Sequence, residues 1–215
     1  MVIVPFVILS RMDNFVMIER IFYFVFGIVL PYAAEQFAYS RFIPNGNQQN
    51  VDNAPTVTQG YGWRLVWDTA YFLLFISAGY RIIMSTAPFS AFERLGYFLF
   101  LAGVAIRIWS LREIGRFYDP GIAVKSDHQM VHTGPYRVLR HPLHIGTVLQ
   151  ITGLSFFAPV WLAFPAVLAS LSLSLYLNYI EDRTHAKKLG AAFKSYYSET
   201  WDIVDLIFWK SKMGE

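Results

Sequence analysis

The sequence predicts an all-α integral membrane protein with about five transmembrane helices. Of its 215 residues, 55% are hydrophobic and only 15% are charged, whereas an ordinary soluble domain carries about 25% charged residues. The apolar residues are also gathered into five long stretches that polar segments separate. This composition excludes a disordered chain, and the lack of cysteine excludes disulfide frameworks, thiolate metal sites and cysteine nucleophiles.

Three spans are expected in the first half of the chain, at 15–37, 63–84 and 92–109. Each approaches the length of about 20 apolar residues that a helix needs to cross the hydrocarbon core. Arg64 and Arg81 lie near the ends of the second span, where charged side chains reach the membrane interface. Gly96 and Gly103 in the third predict close packing against another helix. Residues 1–10 are apolar but too few to span, and they predict an interfacial lead-in.

The other two spans are expected at 143–157 and 161–179, on either side of Ala158-Pro159, which predicts the tip of a helical hairpin. Residues 44–60 are rich in Asn, Gln, Pro and Gly and predict a polar loop. Beyond the fifth span the chain is charged, with apolar side chains at i, i+4 spacing. That pattern predicts an amphipathic helix on the membrane surface that carries Leu189, Phe193, Tyr197 and Trp201.

The basic residues predict the orientation of the helices. Twelve of the 18 lysines and arginines lie either between Arg107 and Arg140 or after Tyr179. The positive-inside rule assigns both regions to the cytoplasm, which leaves the N-terminus outside. We therefore divide the chain into N-terminal transmembrane helices, 1–106, and a region of polar motifs, 107–215, that contains a loop, the hairpin and the tail.

Polar residues are concentrated just before the fourth span. The segment 128–144 contains Gly134-Pro135-Tyr136-Arg137 and Arg140-His141-Pro142-Leu143-His144. Gly-Pro is typical of a turn, and proline is common in the first turn of a helix, so each piece alone fits a structural role. Signals for topology need positive charge but neither histidine nor tyrosine, so the whole segment predicts a binding site.

Glu181 and Asp182 form a second polar group at the end of the fifth span. Carboxylates are unfavourable there, because the C-terminal end of a helix carries partial negative charge. The hairpin returns this acidic pair to the membrane face that holds Arg140 and His141. We therefore expect a cationic ligand between the two groups.

These motifs resemble the isoprenylcysteine carboxyl methyltransferase family, which belongs to a wider group of membrane methyltransferases that includes phospholipid methyltransferases. The resemblance covers about 107–200. It rests on three segments of the sequence: Leu111-Arg112-x-x-Gly115-Arg116-Phe117-Tyr118, then His128-x-Met130-Val131-x-x-Gly134-Pro135-Tyr136-Arg137-x-x-Arg140-His141-Pro142-x-His144-x-Gly146, and Glu181-Asp182 with the tail that follows.

The resemblance implies methyl transfer from S-adenosylmethionine to a lipophilic acceptor, of the isoprenylcysteine type. Glutamate suits the ammonium of this cofactor, arginine its carboxylate, and tyrosine its sulfonium or its adenine ring. No glycine-rich turn after a strand is present to indicate a Rossmann domain instead. By the resemblance, the residues that bind the cofactor are His128, Gln129, Met130, Val131, Tyr136, His141, Pro142, Leu143, His144 and Glu181. Its chemistry adds Arg140, as a bidentate partner for the cofactor carboxylate.

Three positions depart from the family pattern. The usual tyrosine after His-Pro-x is His144, and the second glutamate of the acidic pair is Asp182. Leu177 stands where the family has an arginine that binds the acceptor, and leucine cannot bind a carboxylate. Arg137 and Arg183 are the candidates to replace it. The acceptor atom, oxygen, nitrogen or sulfur, therefore stays open, and an amine or thiol would need a base such as His144 or His185.

Other functions compete with this one. The alternatives are a phospholipid or thiol methyltransferase, a sterol-reductase-like enzyme with a nicotinamide cofactor, and a transporter. A transporter predicts polar residues in the middle of several spans, where this sequence has almost none beyond serine and threonine. We expect no nucleic-acid partner, and no metal site, because the five histidines lack a ligand spacing. Membrane lipids and a lipophilic substrate are the expected partners.

Overall fold

The structure is a computed structural model, and it describes residues 14–43, 59–85, 87–118, 129–203 and 205. Within these ranges the chain forms helices and one isolated β-bridge, and no strand. The all-α prediction is confirmed. The lead-in at 1–10, most of the loop at 44–60 and His128 lie outside the described residues.

Six helices form the described fold. Helix α1 covers 14–42 and consists of Asn14–Phe24, a π-helical turn at Val25–Val29, and Leu30–Phe42. Two short 3-10 segments, Gly115–Phe117 and Gly134–Arg137, lie between α3 and α4. The other helices are α2 Gln59–Met84, α3 Ala91–Ile114, α4 Pro142–Ser155, α5 Val160–Leu189 and α6 Ala191–Glu199.

Three of the described helices are long and apolar enough to cross a membrane, at Val16–Phe42, Ala91–Phe117 and Val160–Leu189. Phe37, Phe98 and Trp161 illustrate the large apolar side chains that these helices expose, which is typical of a lipid-facing surface. Helix α4 has only 14 residues, about 21 Å at 1.5 Å per residue, so it is shorter than the hydrocarbon core. The second and fourth spans therefore stay predictions.

Glycines hold α3 and α4 together in the most extensive helix pair of the bundle. A Cβ atom on Gly103 would lie 2.6 Å from the carbonyl oxygen of Gly146, and one on Gly96 would lie 2.6 Å from that of Gly153. The two helices are antiparallel and meet backbone to backbone at both points. The predicted packing role of Gly96 and Gly103 is confirmed, and it fixes the start of α4 beside the end of α3.

The tail differs from its sequence prediction. Helix α5 continues to Leu189 and ends at Gly190, which has a φ of +53°. A shorter helix, α6, then buries Phe193 and Tyr196. Trp201 is not part of this helix but forms a parallel bridge with Leu139. The predicted continuous helix from Leu189 to Trp201 is wrong, because a left-handed glycine ends one helix and turns the chain back toward α4.

Candidate active site

A cavity of about 900 Å³ lies between the helices. Helices α1 and α2 provide one side of it, which we call the aromatic wall and which consists of Tyr32, Trp67, Tyr71, Phe72 and Phe75. The segment before α4 and helices α4 to α6 provide the other side. We call this side the polar wall, and it consists of Tyr136, His141, His144, Glu181, His185 and Tyr196.

The polar wall begins at a tight turn. Gly134 has a φ of +56°, and a Cβ atom there would lie 2.5 Å from Cγ of Glu113 on α3. Glycine is thus required both by the backbone conformation and by the close approach. The turn buries Pro135 and Tyr136, and Pro142 then begins α4, because proline fits the first turn of a helix. His141 is left at the N-terminal end of α4, facing the cavity.

His141 bridges the two carboxylates at the far end of the hairpin. Its Nδ1 lies 2.9 Å from Oε2 of Glu181, and its Nε2 lies 3.0 Å from Oδ1 of Asp182. Burial alone would lower the pKa of the imidazole, but hydrogen bonds to Asp182 and Glu181 and their charges raise it from 6.5 to about 9. At neutral pH the ring is an imidazolium that donates from both nitrogens. The predicted meeting of His141 and Glu181 is confirmed.

Tyr136 is also part of the polar wall and is buried. Burial, and then the negative charge of Glu181, raises the pKa of its phenol well above the usual range. The hydroxyl therefore keeps its proton and can act as a hydrogen-bond donor toward the cavity.

Arg140 is held by the tail. Its Nη1 lies 3.0 Å from Oδ2 of Asp182, and its Nη2 lies 3.1 Å from Oδ2 of Asp205. The guanidinium also covers the ring of Tyr197 at 3.7 Å, and the backbone N–H of Arg140 donates to the carbonyl of Trp201. A bidentate pair with a cofactor carboxylate would have to displace these carboxylates. In this geometry the contacts of Arg140 connect the tail to the start of α4.

His144 follows His141 one turn into α4, and their rings stack with centroids 5.9 Å apart. Its Nδ1 bonds to Oδ1 of Asn178 on α5. Nδ2 of Asn178 in turn donates to Oδ1 of Asp202, at 2.6 Å. Trp67 of the aromatic wall lies against the same ring, with centroids 5.3 Å apart. His144 therefore stands where the polar and aromatic walls meet.

Most of the sequence-predicted site residues line the cavity. These are Met130, Val131, Tyr136, Arg140, His141, Pro142, Leu143, His144 and Glu181. Gln129 is exposed and is not in the cavity wall. Arg137 and Arg183 are exposed and also lie outside the wall, and Arg183 instead covers the ring of Tyr179. Leu177 is buried and lines the cavity.

Sequence reasoning missed a buried ion pair at the cavity. Nε of Arg107 on α3 lies 2.6 Å from Oε1 of Glu35 on α1, which is only 3% exposed. Nε2 of Gln150 donates to the other carboxylate oxygen, and Nη1 of Arg107 donates to Oγ1 of Thr147. In the sequence, Arg107 stands out only as one of the basic residues that predict orientation, and Glu35 only as a charge near the end of the first expected span. Their pairing could not be recognised without knowing which helices are neighbours.

His141, His144 and Glu181 also resemble a metal-binding group, since one potential ligand atom from each lies within 4.8 Å of the others. Ligation needs a lone pair on a ring nitrogen of His141. Both nitrogens of that ring are bonded to carboxylates instead. The arrangement favours a hydrogen-bonded imidazolium, and the expectation of no metal site stays a prediction.

The comparisons with known proteins point to the same part of the chain. The comparison with curated proteins gave no match, and the comparison with solved structures gave none. Residues 92–192 match the family model described as PEMT, phospholipid methyltransferase. The matched region runs from the first turn of α3 into α6 and includes the start of α4, His141 and Glu181. In this region the chain is similar to the phospholipid methyltransferase family, and the similarity supports a membrane methyltransferase in general.

Proposed function

We propose that the protein transfers a methyl group from S-adenosylmethionine to a lipophilic acceptor inside the membrane. The observation that carries this proposal is the contact of His141 and Glu181 in the wall of one cavity. The hairpin brings these residues together from two separate motifs, and the family match covers both of them.

The donor set of the polar wall fits this cofactor. Oε2 of Glu181 bonds to His141, whereas Oε1 lies 4.0 Å from Nε2 of His144, beyond hydrogen-bond distance. Oε1 is therefore available to the cofactor's ammonium group. The rings of Tyr136 and Tyr196 supply faces that suit a sulfonium or an adenine ring. A volume of about 900 Å³ lies in the upper part of the usual range for ligand pockets, so it leaves space for part of an acceptor.

When bound, S-adenosylmethionine supplies a methyl group on a positively charged sulfur. The protein contributes by holding the two reactants in position. Glu181 anchors one end of the ligand, the turn at Gly134 fixes Tyr136, and the apolar helices keep water away. Holding two reactants in the correct geometry supplies about 7–11 kcal/mol of a reaction barrier.

The aromatic wall suits an acceptor that arrives through the membrane. Phe72 is 63% exposed on the outside of α2 and also lines the cavity. An apolar molecule between the lipid tails can therefore contact the cavity wall directly. The polar wall lies at the end of the bundle that carries both basic regions, from which a soluble cofactor would enter.

The residues of the cavity support an isoprenylcysteine-type acceptor less well than they support the cofactor. Leu177 offers the acceptor no charge at the position of the family's arginine, and Arg137 and Arg183 lie outside the cavity wall. Arg107 is in the wall but is paired with Glu35. We therefore expect a prenylcysteine carboxylate to be a poor substrate. Phospholipid and thiol acceptors are the alternatives, the first of them favoured by the family match.

A labelled-methyl assay on the purified protein in lipid nanodiscs tests the proposal. The acceptors offered in parallel are a prenylcysteine, a phosphatidylethanolamine, an alkylthiol and an alkylphenol. We expect methyl transfer to at least one lipophilic acceptor, and less to the prenylcysteine than to the best one. Hydride transfer from a nicotinamide cofactor, with no binding of S-adenosylmethionine in a calorimetric titration, would contradict the proposal and favour the reductase alternative.

A further inference from the structure

The chain Asp202–Asn178–His144 determines which nitrogen of His144 carries its proton. The NH2 group of Asn178 donates to Oδ1 of Asp202. The amide oxygen of Asn178 then faces Nδ1 of His144 and accepts from it. Nδ1 therefore holds a hydrogen, and the neutral ring has its lone pair on Nε2.

His144 lines the cavity, and Nε2 is the ring nitrogen that Asn178 does not use. Among the residues that the structure describes, no group forms a hydrogen bond to this nitrogen, and Oε1 of Glu181 lies 4.0 Å away. Trp67 packs against the ring from the aromatic wall. The neighbouring His141 is different, because its two nitrogens are both used by carboxylates. Of the two stacked imidazoles, His141 and His144, His144 is thus the one that has a nitrogen lone pair to offer a substrate.

We infer that His144 is the general base of the proposed methyl transfer, and that the acceptor is a lipophilic molecule with an aromatic hydroxyl group. This inference rests on the proposed function and assigns its substrate class. In the reaction, Nε2 of His144 takes the proton from the hydroxyl oxygen as that oxygen bonds to the methyl carbon. The carbon–sulfur bond breaks at the same time, and its electron pair stays on sulfur, which leaves a neutral thioether.

The need for a base excludes acceptors that are already ionised. A carboxylate has lost its proton at neutral pH, whereas a phenol, with an ordinary pKa of about 10, has not. With a carboxylate acceptor no proton has to leave, so the orientation of His144 by Asn178 would not contribute to the transfer. Leu177 lines the cavity where the family has an arginine, and it offers no positive charge to a carboxylate. It therefore agrees with an acceptor that is not ionised.

The aromatic wall favours a hydroxyl over an amine or a thiol. Nε1 of Trp67 and the hydroxyl of Tyr71 are buried and lack hydrogen-bond partners among the described residues. Both groups can donate to an oxygen atom, and the indole N–H of Trp67 can do nothing else. An ammonium group has no acceptor for that N–H, and a thiol sulfur accepts weakly. Glu35, the buried carboxylate beside this wall, is already paired with Arg107 and bonded by Gln150. The aromatic rings also provide faces against which a planar ring packs.

Four acceptors of similar alkyl chain length test the substrate class: para-dodecylphenol, dodecanoate, dodecylamine and dodecanethiol. The protein is used in nanodiscs with labelled S-adenosylmethionine. We expect transfer to the phenol and a kcat that rises with pH as Nε2 loses its proton. The charged groups that face His144 are His141, Glu181 and Arg107, and all three are kept in the variants below. Transfer to dodecanoate, the amine or the thiol in preference to the phenol would overturn the assigned acceptor.

His144→Gln tests the base, and His132→Gln is its control because His132 is exposed and outside the cavity wall. A general base contributes about 100-fold or more to a rate, so we expect His144→Gln to lower kcat for the phenol by about 100-fold and to remove its pH dependence. His132→Gln should keep both. An unchanged kcat and pH profile in His144→Gln would overturn the role of His144 as the base.

Asn178→Leu provides a measurement that does not depend on activity. It retains His144 but removes the acceptor for Nδ1–H, so the nitrogen NMR signals of His144 should change from one tautomer to a mixture. An unchanged tautomer would overturn the positioning role of Asn178. The affinity for S-adenosylmethionine should stay the same in Asn178→Leu and His132→Gln. If the unaltered protein does not bind S-adenosylmethionine, the proposed function fails, whereas normal binding with an unaffected His144→Gln variant defeats this inference alone.

Discussion

Glu181→Gln is expected to weaken the binding of S-adenosylmethionine by about 10- to 100-fold. A hydrogen bond to a charged group contributes about 1.5–3 kcal/mol, and each 1.4 kcal/mol corresponds to a tenfold change in affinity. Glutamine keeps the volume of the side chain and still accepts a hydrogen bond from His141, which also retains Asp182. The loss should therefore fall on the ligand and not on the fold. Calorimetric titration of the purified protein measures it.

Glu199→Gln is the matched control for this prediction. Glu199 is exposed at the end of α6 and accepts a hydrogen bond from Ser195, outside the cavity wall. Its replacement should leave the affinity unchanged. His141→Ala removes the other partner of the contact with Glu181. This variant should also bind S-adenosylmethionine more weakly. If both Glu181→Gln and His141→Ala bind as tightly as the unaltered protein, the cofactor lies elsewhere.

Glu35→Leu is expected to lower the free energy of unfolding by about 3–5 kcal/mol, because removing one partner of a buried ion pair leaves the other charge uncompensated. The partner left behind is Arg107, whose Nε lies 2.6 Å from Glu35 in the unaltered protein. Gln150 loses its hydrogen-bond acceptor as well. Denaturant titration of the protein in mixed lipid and detergent micelles, followed by helix content, measures the difference.

Glu19→Leu is the control on the same helix, since Glu19 is exposed, and its effect should be small. The double variant Glu35→Leu/Arg107→Leu should be more stable than Glu35→Leu alone, because neither charge is then buried without its partner. Equal losses in Glu35→Leu and Glu19→Leu would show that the pair contributes nothing to the fold. The single variant Arg107→Leu completes the comparison. If the double variant loses as much free energy of unfolding as Glu35→Leu and Arg107→Leu lose together, the two residues contribute independently.

The sequence was sufficient to predict the contact at the centre of the site. A hairpin whose two arms meet at the same membrane face brings Glu181 to His141 whatever the exact helix bounds, so the motif and the topology together predict their juxtaposition. The close packing of Gly96 and Gly103 was predictable for a similar reason, because small residues in apolar helices mark close approach.

The aromatic wall was not predictable in the same way. Tyr71 and Phe75 lie in the second expected span and line the cavity. Aromatic residues at helical spacing have the same pattern whether they face lipid, a neighbouring helix or a cavity. Which of these surfaces they meet depends on how α1 and α2 pack beside α4. The helix bounds after 181 also depended on a long-range contact, since the bridge from Trp201 to Leu139 turns the tail back.

The tail has a consequence for how the protein would release its product. Around the start of α4, Arg140 and the imidazolium of His141 supply two positive charges, and Glu181, Asp182 and Asp205 supply three negative ones. These five side chains therefore carry one more negative charge than positive charges. They attract a ligand with a single positive charge more than a neutral zwitterion. A sulfonium donor is the former, and the thioether that remains after transfer is the latter. In the proposed reaction, this cluster would therefore hold the donor more strongly than the product. Titration of the protein with S-adenosylmethionine and with S-adenosylhomocysteine measures that difference.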